Sequence, residues 1–197
     1  MDADLTSFAA VILAGGQGAR MGGVEKSSIE LDGRSLLEHA LDAVIDASEV
    51  VVVGDQVPTD RPVTFVREDP RYGGPVAALL TGRDLLLLRR FPRIVVLAVD
   101  MPRLTSATFR RLADAAVGHD GAVLVDPEGR RQLTMLLELA RLDAVAPPLE
   151  ERHGAALRAL LAPLDLAEVP AVGAEWRDID TWTDLRDLAE SSPGDSR

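Results

Sequence analysis

The sequence has 197 residues, of which 47% are hydrophobic and 27% are charged, a composition typical of one globular domain rather than of a disordered or fibrous chain. A formal net charge of −11 and an aromatic content of only 4% argue against a general nucleic-acid-binding protein, which needs a basic face. The absence of cysteine excludes disulfides and iron–sulfur clusters, and no apolar run approaches the ~20 residues of a membrane span.

Short apolar runs alternate with helix-like segments in the first half of the chain. Strands are predicted at 8–13, 50–53, 63–66 and 94–99. Each is a continuous apolar run, so we expect the strands to be buried on both faces. Helices are predicted at 35–45, with Ser35 as the cap, and at 75–88, with Pro75 in the first turn. This order predicts a three-layer α/β domain with a mostly parallel sheet and helices on both faces.

The second half of the chain is less regular. A helix capped by Thr105 or Ser106 is expected to run to about residue 116, and a last helix, opened by a capping box of Thr181 and Asp184, to about residue 188. Further strands are predicted at 122–125, 133–139 and 165–169, and a further helix at 155–161. We expect one domain over residues 8–189, with flexible ends at 1–7 and 190–197.

A glycine-rich loop follows the first predicted strand, with five glycines between Leu13 and Lys26. Such a loop lets backbone amides approach phosphate oxygens without interference from Cβ atoms. The dinucleotide fingerprint G-x-G-x-x-G fails because Met21 stands at the third glycine position. The P-loop pattern also fails, because Val24 follows Gly23 where a lysine is required. The spacing therefore predicts a longer phosphate-binding loop.

Two cations, Arg20 and Lys26, belong to this loop, and Lys26 is the only lysine in a chain that has 20 arginines. Arginine grips phosphate through a planar fork, whereas lysine is a compact point charge on a flexible stem. One lysine has to fall somewhere by chance. Its position at the end of the glycine loop nevertheless favours a role at a nucleoside triphosphate.

Acidic residues that could bind a metal follow two later elements. Asp100 comes directly after the strand at 94–99, at the sheet edge where ligands of open parallel sheets lie. A carboxylate beside a triphosphate is a natural Mg²⁺ ligand, although Asp100 could instead cap the following turn. Asp180 is a second candidate ligand, for which a helix cap or a surface acid is an equally good interpretation.

Four motifs occur in order along the chain. The first is Leu13-Ala14-Gly15-Gly16 with Arg20-Met21-Gly22 and Lys26. The others are Arg67-Glu68-Asp69-Pro70 with Gly73-Gly74-Pro75, then Asp100-Met101-Pro102, then Asp178-Ile179-Asp180-Thr181. Together, and in this order, they resemble the MobA-like nucleotidyltransferases, and within that superfamily they are most similar to the molybdenum cofactor guanylyltransferases. The resemblance covers roughly residues 8–188.

The resemblance implies a Rossmann-like fold of the nucleotide-diphospho-sugar transferase type. It also implies an Mg²⁺-dependent enzyme that transfers GMP from GTP to the phosphate of molybdopterin, or of its molybdenum-loaded form, and releases pyrophosphate. Catalysis would then fall to Arg20, Lys26 and Asp100, and metal binding to Asp100 and Asp180. Nucleotide binding would involve Leu13, Ala14, Gly15, Gly16, Lys26, Asp69 and Asp100. The expected location is the cytoplasm, with transient contacts to cofactor-requiring or cofactor-delivering proteins and with no nucleic-acid or membrane partner.

Departures from the family pattern leave alternatives open. Asp180 stands where an asparagine is usual, and Gly54 stands where some members have a nucleotide-contacting asparagine. A cytidylyltransferase for molybdopterin, or a transferase for another small phosphate, would share the fold, although the Leu-Ala-Gly-Gly segment favours GTP. A nucleotide-binding sensor or partner-delivery protein without catalysis is the alternative from another class.

Overall fold

The computed structural model describes residues 8–15, 21–22, 24–86 and 91–191. The strands are β1 Phe8–Leu13, β2 Glu30–Leu31, β3 Arg34–Ser35, β4 Glu49–Val53, β5 Thr64–Val66, β6 Arg93–Ala98, β7 Gly121–Val125, β8 Arg131–Glu138 and β9 Leu166–Pro170. The helices are α1 Leu36–Ala43, α2 Pro75–Leu86, α3 Ser106–Ala115, α4 Leu139–Val145, α5 Leu157–Leu161 and α6 Trp182–Glu190. Single 3-10 turns lie at Lys26–Ser28 and Leu149–Glu151.

The main sheet has seven strands in the order β5-β4-β1-β6-β8-β7-β9, and β2 and β3 form a separate hairpin. β1 lies at the centre of the parallel part, where it pairs with β4 on one side and β6 on the other. Only β8 runs in the opposite direction, antiparallel to both β6 and β7. The predicted mostly parallel sheet is therefore confirmed, and the carboxyl ends of β5, β4, β1 and β6 meet at one edge.

The apolar residues of β1 divide between two cores, which explains why this strand is a continuous apolar run. Ala10 and Ile12 pack in a core that also includes residues of α1, α3 and α6. Ala9 and Val11 pack in a second core with residues of α2, α4 and α5. Because side chains of a strand alternate between its faces, helices cover both faces of the sheet, and the predicted three-layer architecture is confirmed.

The predicted helix caps are present where the sequence indicated them. At α1 the Glu38 backbone N–H donates to Ser35 Oγ over 3.2 Å, and the Ser35 N–H donates back to Glu38 Oε2 over 2.8 Å. Thr181 and Asp184 form the same reciprocal pair at α6. Thr105, rather than Ser106, is the cap of α3. Each such box satisfies amide groups that an isolated helix start would leave without partners.

Some boundaries differ from the prediction. The predicted helix at 75–88 is found as α2 up to Leu86, and residues 87–90 lie outside the described part of the chain. α6 continues to Glu190, slightly beyond its predicted end at 188. Of the predicted flexible ends, residues 1–7 and 192–197 lie outside the described residues, so the domain limits stay a prediction. No helix in the described part of the chain combines the length and hydropathy that crossing a bilayer requires.

Candidate functional site

A cavity of about 560 Å³ opens at the sheet edge where the parallel strands end. Its floor is formed by the residues that directly follow β1, β4, β5 and β6, beginning with Ala14, Gly54, Arg67 and Val99. Gln132, near the start of the reversed strand β8, also reaches the cavity because the amino end of β8 lies at this edge. The remaining wall comes from the start of α2, from the segment around Lys26 and from Asp178.

Backbone hydrogen bonds extend the sheet ladder beyond the strands and hold the cavity floor in place. Ala14 N–H donates to Val53 O over 2.9 Å, and Val99 N–H donates to Leu13 O over 3.0 Å. The segment that carries Asp178 and Asp180 is attached in the same way, because Ile179 N–H donates to Asp100 O over 2.9 Å. Residues far apart in sequence are thereby brought to one edge with rigid backbone support.

Lys26 joins the two predicted metal ligands. Its Nζ lies 2.8 Å from Asp100 Oδ2 and 2.7 Å from Asp180 Oδ1. The side chains of Lys26 and Asp100 are mostly buried, at 17% and 21% exposure, whereas that of Asp180 is 40% exposed. The N-cap of α6 is Thr181, so Asp180 is not the helix cap that the sequence left as an alternative.

The charges of this cluster shift two pKa values. Burial by itself would lower the pKa of the Lys26 amine, but the charges and hydrogen bonds of Asp100 and Asp180 outweigh burial, and the pKa is raised above the ordinary 10.5. The pKa of the Asp178 carboxyl is raised above 3.8, first by desolvation and then by the negative charges of Asp100 and Asp180. Negative charge is therefore in excess here, with one lysine facing three carboxylates.

The donor set of this cluster fits a hard divalent cation. Asp100 and Asp180 both present oxygens to the same nitrogen, so their carboxylates lie close enough together to share one ion. Within the described residues no group of three or more histidine or acidic side chains is arranged to hold a metal. Two carboxylates can hold a divalent ion when water and ligand oxygens complete its shell.

The predicted nucleotide-binding residues reach the cavity in part. Leu13, Ala14 and Gly15 line it, together with Lys26 and Asp100. Gly16 and Arg20 lie outside the described residues, so their predicted roles stay predictions. Asp69 is exposed and is not among the residues that line the cavity, and its predicted contact with the nucleotide also remains untested.

The wall after β4 and β5 contains cavity-lining residues that the sequence analysis did not assign to the site. Arg67 Nε and Arg71 Nη2 both contact Asp55 Oδ1, at 2.6 and 3.0 Å, and all three side chains are about half exposed. Tyr72 is 56% exposed and has a positive φ of 62°, an uncommon backbone conformation for a bulky residue. Glu68 completes this wall. These residues follow the strands predicted at 50–53 and 63–66, and this position in the sequence could have identified them.

Gly54 occupies a position where no side chain fits without movement. A Cβ atom there would lie 2.9 Å from Ala14 Cβ and 3.1 Å from the Ala14 carbonyl carbon. Because these distances are shorter than van der Waals contact, a larger residue would push against the floor of the cavity. Glycine at this position therefore lets the ends of β1 and β4 approach closely.

The turn from β7 to β8 supports Gln132 at the cavity wall. Asp126 is buried and accepts hydrogen bonds from Arg130 N–H over 2.8 Å and from Gln132 Nε2 over 3.1 Å.

Arg131 pairs with Glu168 of β9, and Arg152 pairs with Asp84 of α2 at 2.5 Å. The side chains of Arg130, Arg131 and Arg152 therefore each have a carboxylate partner in the described part of the chain.

The fold and site define an α/β domain of the class that binds ligands at the carboxyl ends of a parallel sheet. The model of the MobA-like NTP transferase domain matches residues 10–169. The chain belongs to this family of nucleotidyltransferases.

Relatives and solved structures agree with this assignment. A molybdenum cofactor guanylyltransferase of Pseudomonas entomophila is 34% identical over 182 residues, which cover 86% of this chain and 88% of the relative. The molybdopterin-guanine dinucleotide biosynthesis protein A of Archaeoglobus fulgidus superposes with a TM-score of 0.67, at 22% identity, and the match covers 92% of this chain and 97% of that structure. A Mycobacterium tuberculosis protein in complex with manganese gives a TM-score of 0.69 at 19% identity, over 94% and 100% of the two chains.

Proposed function

We propose that this protein transfers GMP from GTP to the terminal phosphate of molybdopterin, or of its molybdenum-loaded form, and releases pyrophosphate. The observation that carries the proposal is the cavity in which the start of the glycine loop, Lys26 and Asp100 meet at one sheet edge. The similarity to a guanylyltransferase over most of both chains supports GTP and a molybdopterin acceptor as the substrates.

The reaction depends on positioning the two substrates and neutralising their negative charges more than on a nucleophile of the enzyme. An oxygen of the acceptor phosphate, already an anion, attacks the α-phosphorus of GTP as the bond to pyrophosphate breaks, so no covalent enzyme intermediate and no strong base is needed. Two anions have to approach each other in an acidic protein, and positive groups must lower that repulsion.

Magnesium would be held by Asp100 and Asp180, where it would draw negative charge from the α-phosphate and the leaving pyrophosphate. The manganese bound in a structural neighbour supports a divalent ion. Lys26, which the structure holds between the same two carboxylates, would turn its ammonium to the triphosphate. Arg20 would add a second cation to the phosphates.

The remaining residues would bind and orient the nucleotide. Backbone groups of Leu13, Ala14, Gly15 and Gly16 would hold the base and ribose, because glycines let them approach the backbone closely. Asp69 would lie near the nucleotide. Arg67 and Arg71, which both contact Asp55 and are about half exposed at the cavity rim, would attract the anionic acceptor.

Transient contacts with cofactor-requiring or cofactor-delivering proteins, in the cytoplasm, complete the proposal. They follow from the chemistry of the product, a cofactor that has to reach other enzymes. A cytidylyltransferase for molybdopterin remains the alternative within the fold, and a non-catalytic nucleotide sensor remains the alternative from another class.

Two measurements on the purified protein test this function. The first is the melting temperature with GTP, CTP, ATP and UTP, each with and without Mg²⁺, because a ligand that binds only the folded state raises it. The second is pyrophosphate release with GTP and molybdopterin. We expect a shift with GTP that is larger with Mg²⁺, and pyrophosphate release only with both substrates.

Asp100→Ala provides the matched test of the metal site, with the exposed Asp114→Ala of α3 as the control. We expect Asp100→Ala to lose the magnesium-dependent part of the shift and the turnover, and Asp114→Ala to keep both. A shift confined to CTP would identify a cytidylyltransferase instead. Nucleotide binding without pyrophosphate release from any acceptor would favour the sensor.

A further inference from the structure

Glu68 places a carboxylate on the cavity wall, at the end opposite the cluster of Lys26, Asp100 and Asp180. It is the second residue after the end of β5, which Arg67 follows directly, and it lines the cavity. Its Oε2 accepts a hydrogen bond of 2.7 Å from the backbone N–H of Gly73. This bond anchors the side chain across the loop that leads into α2.

The second carboxylate oxygen of Glu68 faces the glycine loop. Oε1 lies 3.9 Å from the point that a Cβ atom would occupy on Gly15, so it is not the oxygen that Gly73 binds. Gly15 is itself exposed to the cavity. A ligand that lies over the backbone of Ala14 and Gly15 therefore meets a fixed, acceptor-only group.

The neighbouring residue Asp69 has a different position. It is exposed and does not line the cavity. Glu68, not Asp69, is thus the carboxylate of this segment that the cavity presents to a ligand.

The chemistry of the bases decides which nucleotide suits this acceptor. Guanine carries two adjacent donors on one edge, the N1–H and the exocyclic amine, and an ionised carboxylate is a two-oxygen acceptor without a donor. Adenine and cytosine present an unprotonated ring nitrogen beside their amine. In either base this acceptor nitrogen would face an acceptor oxygen of the carboxylate. A site that hydrogen-bonds a specific donor rejects analogues that lack it, because its own polar group is left without a partner.

We propose that Glu68 is the residue that selects guanine, by accepting hydrogen bonds from the N1–H and the exocyclic amine of GTP. The proposal rests on the proposed use of GTP and identifies the base-reading group. The phosphates of the nucleotide then extend toward Lys26 and Asp100, at the other end of the cavity.

The test compares the affinities of GTP, of inosine triphosphate, which lacks the exocyclic amine, and of N1-methyl-GTP, in the wild-type chain and in Glu68→Gln. Hydrogen bonds to charged groups are worth about 1.5–3 kcal/mol, so wild-type protein should bind GTP at least about tenfold more tightly than either analogue. In Glu68→Gln the amide oxygen can still accept from Gly73 N–H. The amide N–H groups then face the N–H donors of guanine, with which they form no hydrogen bond. The GTP-to-inosine ratio should then fall close to one.

Controls separate base selection from folding and from charge. Glu150→Gln removes one negative charge at an exposed position outside the cavity wall and should keep the wild-type ratio. The melting temperature of each variant reports its folding. If Glu68→Gln does not fold, the comparison of the three nucleotides on wild-type protein still decides, because equal affinities would overturn the proposal.

The outcomes distinguish this inference from the proposed function. GTP binding with an unchanged GTP-to-inosine ratio in Glu68→Gln would overturn only the role of Glu68. A ratio that falls in Asp69→Asn but not in Glu68→Gln would assign guanine recognition to Asp69 instead. Wild-type preference for CTP over GTP would refute the proposed function and, with it, the role of Glu68.

Discussion

Glu175 is a buried carboxylate whose neutralisation should cost the fold a measurable part of its stability. It lies between β9 and the segment of Asp178 and Asp180, with a side chain only 8% exposed. Its oxygens accept from Thr108 Oγ1 over 2.5 Å, from Arg111 Nη2 over 2.6 Å and from Val172 N–H over 2.8 Å. The carboxylate therefore fastens this segment to α3.

The isosteric change Glu175→Gln removes the negative charge that faces Arg111, although the new amide can still donate to the Thr108 hydroxyl and accept from Arg111 and Val172. Breaking a buried ion pair by removing one partner costs about 3–5 kcal/mol. Arg111 is 34% exposed and can recover part of its hydration, so we expect about 3 kcal/mol. For a domain of this size each kcal/mol lowers the melting temperature by about 2–4 °C, which gives a decrease of roughly 6–12 °C.

Urea unfolding measures the loss directly, provided that the dependence on denaturant stays the same in both proteins. Glu168→Gln is the matched control, because Glu168 forms a single exposed ion pair with Arg131 at 2.9 Å, and such pairs contribute about 0–1 kcal/mol. A loss below about 1 kcal/mol in Glu175→Gln, or an equal loss in Glu168→Gln, would refute the reasoning from burial and hydrogen bonding.

Three further predictions concern the cavity and its supports. Gly54→Ala should weaken nucleotide binding and lower stability by about 1–3 kcal/mol, as overpacking does, because the new Cβ lies 2.9 Å from Ala14 Cβ; unchanged affinity in a titration would contradict this. Lys26→Ala should lower turnover about 10²–10³-fold with a much smaller effect on the melting temperature, and wild-type turnover would exclude the role of Lys26. Burial acts to raise the pKa of Asp126, but hydrogen bonds and the charge of Arg130 outweigh it and lower the pKa below 3.8. The stability lost in Asp126→Asn should therefore be constant above that pH and disappear as the pH falls through the folded-state pKa, which unfolding at a series of pH values would measure.

The centre of the main sheet could be predicted because β1, β4 and β6 are buried on both faces, which leaves a strong local signal. The apolar run of β1 has the same bounds in the structure as in the prediction. Capping pairs such as Ser35 with Glu38 lie within one helical turn, so they too can be found in sequence.

Two elements were missed for different physical reasons. α4 begins at Leu139, directly after β8, so no turn residue separates the two patterns. The β2–β3 hairpin did have a signal, because Asp32 and Gly33 both take positive φ angles, as an Asp-Gly hairpin turn requires. The short strands around it have too few apolar residues to draw attention.

The candidate site shows what sequence reasoning can reach and where it stops. Lys26 and Asp100 could be selected individually, from a glycine loop and from a strand end. Their direct contact, across 74 positions of the chain, depends on how the strands are ordered in the sheet. The sequence also does not indicate that Glu68 faces the cavity while Asp69 is exposed, because that depends on the path of one loop.

The ammonium between Asp100 and Asp180 is also the only lysine amine in the sequence. Acylating reagents attack the neutral amine, and the raised pKa of Lys26 keeps that form scarce near neutral pH. Apart from the terminal amine, Lys26 is the one amine in the sequence, so the extent of amine acylation measures the reactivity of this side chain. A change in labelling upon addition of nucleotide or a divalent ion would report directly on what Lys26 is paired with, without any assay of turnover.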